Sequence, residues 1–255
     1  MSLEPEKKIL KARDLSRREM LGLMGSTVTA VALAGCGSTG GQSGQSGSGQ
    51  QASSSTCVVK PQQEEGPFFV DEELNRSDLR TDPSNDSVVE GVPVDLTFNV
   101  SWIDSSSSCT PLAGAVVNVW QCNALGSYSD VEDKAGQKFL RGYQVTDENG
   151  TARFTSIYPG WYEGRTVHTH FKVRTDPKTE QGYEFTTQLY YDDALTDQIH
   201  AQDPYAEKEQ RTIKNNNDRV FQDGGDELML DLTQDGQGGY VGTFDIALEK
   251  THNQT

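Results

Sequence analysis

Val92, Val94, Leu96, Phe98, Val100 and Trp102 place an apolar side chain at every second position, with proline or polar residues between them. A period of two is that of a strand with one buried face; on a helix of about 3.6 residues per turn the same side chains would scatter around the axis. Tyr240, Gly242, Phe244, Ile246 and Leu248 repeat the pattern near the C-terminus, and 115–122, 152–157, 167–173 and 183–191 are rich in β-branched and aromatic residues. Asp147-Glu148-Asn149-Gly150 is predicted to turn between two of these segments. Residues 223–226 and 234–239 read as further loops, and the charged stretch 203–221 as either a short helix or a long excursion. Short strands at this spacing predict an all-β fold: an antiparallel β-sandwich with long loops and little helix.

The N-terminal residues do not fit that pattern. Ser16-Arg17-Arg18-Glu19-Met20-Leu21 opens onto an apolar run over 21–34, and paired arginines before such a run read as a twin-arginine export signal. The run is about 14 residues, short of the roughly 20 that a helix needs to span a bilayer. It ends in Leu33-Ala34-Gly35-Cys36, which resembles the lipobox where bacterial-type lipoproteins are cut and lipidated on cysteine. An uncleaved anchor and a plain exported protein are the competing readings. Lipidation at Cys36 would place the chain outside the cytoplasm in the cell envelope, tied to the membrane only through an N-terminal lipid anchor with more than one acyl chain. Residues 37–56, almost all Gly, Ser, Gln and Thr, have no apolar surface to bury and read as a tether. The expected organisation is a signal region at 1–36, a tether at 37–56, one folded domain at 57–250 and a tail at 251–255.

Lys and Arg number 22 against 38 Asp and Glu, a formal charge of −16 that becomes about −18 once residues 1–35 are set aside. So acidic a surface argues against nucleic acid as a partner and is read as solvation. With Cys36 given to lipid, Cys57, Cys109 and Cys122 remain. Export favours a disulfide, the odd count leaves its pairing open, and no C-x-x-C spacing marks a metal site.

The chain has four histidines, two of them His168 and His170. Residues i and i+2 of a strand share a face, so both imidazoles can reach one metal, though such a pair also arises by chance. The run Tyr158-Pro159-Gly160-Trp161-Tyr162-Glu163-Gly164-Arg165 precedes them, and Trp120-Gln121-Cys122-Asn123-Ala124-Leu125-Gly126-Ser127-Tyr128 carries another strand into a loop on a tyrosine. Taken alone, each tyrosine is an ordinary half-buried aromatic.

Together these elements resemble the intradiol ring-cleavage dioxygenases, the family of catechol 1,2-dioxygenases and protocatechuate 3,4-dioxygenases. The likeness starts at Pro61-Gln62-Gln63-Glu64-Glu65-Gly66-Pro67-Phe68, runs through Trp120 and Gly126-Ser127-Tyr128-Ser129, and takes in Thr146-Asp147-Glu148-Asn149-Gly150. It continues from Pro159 to His170 and ends at Thr187-Gln188-Leu189-Tyr190-Tyr191. The resemblance implies a ferric ion, Fe(3+), held by Tyr128, Tyr162, His168 and His170, with Tyr162 and His170 axial. Phenolates are hard anionic donors that offset the charge of Fe(3+), and a phenol of free pKa near 10 ionises readily beside a trivalent cation. Tyr158 is the rival for the second tyrosine, but its place before the Pro-Gly turn matches no family ligand.

The resemblance further implies a catechol-type substrate and O2, with ring cleavage between the two hydroxyl-bearing carbons to cis,cis-muconate-type products. Tyr162 would take a proton as well as bind metal, and Arg165 would stabilise charge developing on the ring. Gln188 would hydrogen-bond the rearranging intermediate, and Gly66, Pro67 and Phe68 would line the substrate entrance. Against these stand an Arg165 in a surface ion pair and a Gln188 that is only a cross-strand polar residue. One departure is that Glu163 and Gly164 alone separate Tyr162 from Arg165, where the better-known enzymes carry a longer insertion. The pocket mouth is therefore expected to differ, and the particular catechol stays open. The chain lacks a helical dimerisation segment like that of catechol 1,2-dioxygenases, which leaves the oligomeric state open, a homodimer included. His200 and His252 have no comparable context and are expected in solvent. Two readings from other classes compete: a non-catalytic envelope β-sandwich lipoprotein that binds carbohydrate or protein, and a zinc hydrolase using His168 and His170 with Glu163 as the nearby acid.

Overall fold

The computed structural model describes residues 58–175 and 182–249; the expected signal region, tether and tail, with Cys36, Cys57 and His252, lie outside them. Two sheets pack face to face. The first is built on β1 (Pro93–Ile103), which pairs along one edge with β5 (Thr151–Ile157) and then β2 (Cys109–Pro111). Along its other edge lies β9 (Tyr240–Glu249), followed by β8 (Leu232–Gln234). The second sheet runs β4 (Arg141–Val145), β3 (Val116–Trp120), β6 (His168–Arg174), β7 (Glu184–Tyr190), all antiparallel.

The alternating residues of β1 behave as the period of two requires. Val94, Leu96, Phe98 and Val100 are buried, and Phe98 meets Phe171 of the facing sheet at 5.0 Å and Phe154 and Phe244 of its own at 5.9 and 6.5 Å. A phenylalanine enclosed on every side is worth roughly 3–5 kcal/mol against alanine. One pairing departs from the antiparallel expectation: β1 and β9 run parallel, from Val94 beside Tyr240 to Ile103 beside Glu249. Parallel neighbours need a long crossover, and here everything between the first and last strands supplies it.

The turn at 147–150 forms as expected, with Asp147 Oδ1 accepting from the amides of Asn149 and Thr151 at 2.9 and 2.8 Å. It also carries the chain from the second sheet to the first, since β4 and β5 belong to different sheets. Residues 223–226, expected as loop, run into a 3-10 turn at Gly225–Leu228. The stretch 203–221 is an excursion with 3-10 turns at Tyr205–Glu207 and Asn215–Asn217. The helix of the described residues is α1 (Asp193–Ile199), just before it, whose first turn is capped by Asp192 accepting from the Leu195 amide at 2.8 Å.

The face of β6 turned away from the first sheet is covered by the N-terminal segment. Gln63 donates its amide to Thr186 at 3.0 Å, Glu65 pairs with Lys172, and Asp71 pairs with Arg174 at 2.7 Å.

Candidate metal centre

The strand register dictates what can meet at the centre. His170 sits opposite Trp120 of β3 and Gln188 of β7, and His168 sits opposite Tyr190. Side chains directly across antiparallel strands share a face, so these five lie on the side of the sheet opposite Phe171, which meets Phe98. The Trp120 indole lies flat on the His170 ring, centroids 4.9 Å apart and planes within 5°. His168 and His170, 2% and 1% exposed, bring their Nε2 atoms to 3.1 Å.

The two tyrosines arrive on loops that are pressed together. A Cβ on Gly126 would lie 2.1 Å from the Trp161 carbonyl oxygen, and the residue's φ of +87° disfavours any L side chain as well. Gly160 donates to the Asn123 carbonyl at 3.2 Å, while Asn123 Oδ1 accepts from the amides of Leu125 and Ser127. The Gly-x-Tyr and Pro-Gly-x-Tyr elements are therefore two sides of one contact. It sets the Tyr128 and Tyr162 rings 5.7 Å apart and brings the Tyr162 hydroxyl to 3.0 Å from His168 Nε2. The Tyr128 ring lies 6.3 Å from that of His170, and its hydroxyl is buried without a hydrogen-bond partner. Tyr128, Tyr162, His168 and His170, the four residues the resemblance singles out, thus lie together in one cluster. Tyr158 does not join them; it is buried elsewhere, bonded to Thr196 at 2.6 Å.

Without a cation all four groups are neutral at ordinary pH. Burial, reinforced by Arg165, lowers the His168 pKa to about 3, and burial with His168 beside it holds His170 well below the usual imidazole range. Burial raises Tyr128 well above a free phenol, with Tyr162 adding to the shift. Burial also pushes Tyr162 up to about 12 against the opposing pull of Arg165. His168 Nδ1 lies 2.6 Å from the Thr166 carbonyl, which only accepts, so Nδ1 carries the proton and Nε2 offers its lone pair to the centre. His170 has no such support, since its Nδ1 is buried without a partner.

Arg165 is not a surface ion pair. Its Nε donates to Asp218 Oδ2 at 2.9 Å, and its Nη2 reaches Gln188 Oε1 at 2.5 Å. Gln188 is fully buried and donates to the Glu64 carbonyl at 3.0 Å, and the Tyr190 hydroxyl adds a bond of 3.2 Å to the same Oε1. Burial would raise Asp218, but the Phe221 and Thr166 amides and Arg165 outweigh it and hold the carboxylate below its ordinary value. Of the proposed entrance residues, Phe68 stacks on Tyr128 and Gly66 lies over His170, where a Cβ would come 3.3 Å from Cε1. Pro67 is exposed.

Several residues without a sequence signal support this arrangement. Asp218, Asn215 and Lys208 come from the excursion at 203–221, where nothing in Asn215-Asn216-Asn217-Asp218 distinguishes one polar residue from the next. Arg141 is buried, with Nε on Ser129 Oγ at 2.8 Å and Nη1 on the Phe68 carbonyl at 3.1 Å. His200, expected in solvent, is half-buried: Nε2 bonds the Pro159 carbonyl at 3.0 Å and the ring stacks on Tyr205. Cys109 is disulfide-bonded and Cys122 is the free cysteine of the described residues, buried beside Trp120 and Tyr128 with its thiol pushed up to about 12 by burial. Among the described residues no group of three or more His, Cys, Asp and Glu side chains is placed to hold a metal, so the zinc-hydrolase reading finds no third ligand there.

A family model described as "Dioxygenase" matches residues 64–236. The chain is 31% identical over 146 residues to catechol 1,2-dioxygenase of Candida albicans, over 49% of this chain and 45% of that protein. It spans less than half the length of that relative. It is 30% identical over 195 residues to the protocatechuate 3,4-dioxygenase beta chain of Burkholderia cepacia, over 71% of this chain and 76% of that one. Among solved structures, an intradiol ring-cleavage dioxygenase from Tetranychus urticae superposes with a TM-score of 0.65 at 28% identity, over 78% of this chain and 98% of that one.

Proposed function

The chain belongs to the intradiol ring-cleavage dioxygenase family, and from that premise we propose that it opens catechol-type rings with O2 to cis,cis-muconate-type diacids at a ferric ion. The observation that carries the reading is the meeting of Tyr162 Oη, His168 Nε2 and His170 Nε2 within 3.0 and 3.1 Å steps, with the unpartnered Tyr128 hydroxyl in the same cluster. The donor set fits the metal. Two phenols and two neutral imidazoles offer hard and borderline donors, and the buried Tyr128 hydroxyl without a hydrogen-bond partner is what a metal ligand at that position would look like. When bound, Fe(3+) would ionise the phenols, take both substrate oxygens and raise the reactivity of the ring toward O2.

The remaining work falls to this chain's own side chains. Without the metal the Tyr162 hydroxyl donates to His168 Nε2 at 3.0 Å; ionised by the metal, its Oη would be the group to accept a proton from an incoming catechol hydroxyl. Arg165 is a fixed cation in a dry setting, aimed by Gln188 and Asp218, and it would stabilise negative charge on the ring. Phe68 and Gly66 would form the wall along which the aromatic substrate enters, while the N-terminal segment excludes water. Glu163 and Gly164, both exposed, are the whole connection from Tyr162 to Arg165, so the entrance on that side would differ from that of relatives with a longer insertion and would bear on which catechols are taken.

Export and lipidation at Cys36 form part of the same proposal, supported by the order of paired arginines, apolar run and Leu33-Ala34-Gly35-Cys36. Substrates would then be catechols met outside the cytoplasm. The deciding experiment is to purify the protein, load it with ferric iron and supply catechol under O2. A red-brown colour, oxygen uptake and muconate absorbance are expected. A colourless protein that holds stoichiometric zinc and consumes no oxygen would overturn the reading.

A further inference from the structure

Asp218 has a fully buried side chain whose two oxygens accept four hydrogen bonds. Oδ1 takes the amides of Val220 and Phe221 at 2.8 and 2.9 Å, which anchors the carboxylate within its own segment. Oδ2 takes Arg165 Nε at 2.9 Å and the Thr166 amide at 2.7 Å. One oxygen therefore fixes two consecutive residues whose far ends lead to different parts of the centre. Arg165 goes on to Gln188 Oε1 at 2.5 Å, and the Thr166 carbonyl meets His168 Nδ1 at 2.6 Å. Thr166 is held a second time, its hydroxyl donating to Asn215 Oδ1 at 2.7 Å. A carboxylate this deep is tolerated only because every direction is met by a donor.

We infer that Asp218 is a positioning residue for the proposed reaction: it aims the Arg165 guanidinium at Gln188 and, through Thr166, keeps His168 in the Nδ1–H form that turns Nε2 toward the metal. The inference rests on the functional reading above. It assigns the role to charge and geometry together. Asparagine has the same shape, but its amide group turns N–H bonds toward at least one pair of donors that now meet an oxygen.

The test compares Asp218→Asn with the wild-type protein, both with and without iron. At saturating iron, kcat for catechol is expected to fall about 10- to 100-fold with KM shifted less than about 3-fold, and iron affinity to fall about 10-fold. In the chelated protein, nitrogen-15 NMR is expected to show His168 leaving its single tautomer, and the Thr166 amide to exchange with solvent faster. Arg165→Lys, which keeps the charge but cannot reach Asp218 and Gln188 at once, should lose kcat to a similar degree. Asp218→Asn added to it should lower kcat by less than the product of the two single losses, because the Arg165 contact is broken only once, while iron affinity and the His168 tautomer should still change through Thr166. An Asp218→Asn protein with wild-type kcat, iron affinity and His168 tautomer overturns the inference alone. If that variant does not fold, Asp218→Glu, which keeps the charge but displaces the carboxylate, decides: wild-type kcat, iron affinity and His168 tautomer overturn the inference, and a loss of kcat together with a changed tautomer supports it. Wild-type protein that binds no iron and consumes no catechol overturns the parent reading and the positioning role with it.

Discussion

Phe68 lies against Tyr128 with ring centroids 4.6 Å apart and planes 26° from parallel, and it meets Tyr162 edge-on at 5.7 Å. A single ring from the N-terminal segment covers both phenols and forms the apolar wall of the centre. Such a wall touches substrate equally before and during reaction, so it contributes uniform binding. Phe68→Ala is expected to raise KM for catechol about 10-fold with little change in kcat. Steady-state oxygen uptake checks this; an unchanged KM would remove Phe68 from the substrate path.

The two tyrosines should respond to truncation with opposite signs in the metal-free protein. The Tyr128 hydroxyl is buried without a well-formed hydrogen bond, with the Tyr162 hydroxyl only near it, whereas the Tyr162 hydroxyl pairs with His168. Tyr128→Phe removes an unsatisfied polar atom and is expected to leave chelated protein as stable as wild type or more so, by up to about 1–3 kcal/mol. Tyr162→Phe removes one hydrogen bond to His168 Nε2, leaving it only His170 Nε2 at 3.1 Å, and should cost about 1 kcal/mol. Both should weaken iron binding and diminish or shift the red-brown absorption. Thermal melts of chelated protein beside spectra of loaded protein separate the effects, and a Tyr128→Phe protein that melts well below wild type would refute the account of its hydroxyl.

Titration of the two imidazoles gives stability a pH dependence when iron is absent. His168 falls from an ordinary 6.5 to about 3 in the folded protein, and His170 lies well below its usual range. The unfolded chain therefore binds more protons than the folded one between those values. The stabilisation is complete above about pH 6.5 and is lost on acidification, by up to about 1.4 kcal/mol per pH unit for each histidine. Acidification also relieves the repulsion of a chain carrying −16 charges, an effect of opposite sign. The informative quantity is thus the difference between wild type and His168→Gln. Chelated wild type should lose Tm more steeply than the variant between pH 7.5 and 5, and parallel curves would show that His168 is not held neutral.

How much of this was legible in the sequence follows from the range over which each interaction acts. Alternation along β1 and the His168–His170 spacing are local, and both survive in the fold because a strand fixes side-chain direction within two residues. The convergence of Tyr128 with Tyr162 is not local, and only the resemblance to a known family linked them. Neither route reached the parallel pairing of β1 with β9, whose register depends on everything folded between them. Asp218 and Lys208 were equally invisible. Each acts through backbone groups or a single oxygen of a distant segment, and such contacts leave no pattern in the residues that accept them. His200 departs from its expected place in solvent for the same reason, since its ring is packed by Tyr205 and the Pro159 carbonyl rather than by its own neighbours in sequence.

Lys208 ties the two tyrosine-bearing loops together from outside the centre. Its Nζ donates to the Trp161 carbonyl at 2.8 Å and the Leu125 carbonyl at 3.1 Å, and it lies 4.2 Å from the centre of the Trp161 indole. Leu125 precedes Tyr128 by three residues and Trp161 precedes Tyr162 by one, so this ammonium group sets the separation of the phenols without touching either. Lys208→Met keeps most of the aliphatic stem but leaves both carbonyls to water, and it is expected to cost about 1–2 kcal/mol of stability. The larger effect should fall on the metal. Looser loops let a phenolate swing away, so iron should leave about 10-fold faster into a chelator, with the absorption band broadened. Lys208→Arg, which can still bridge two carbonyls, should recover most of the difference. If Lys208→Met releases iron at the wild-type rate with an unchanged band, the close approach at Gly126 alone holds the loops and the lysine serves only the surface.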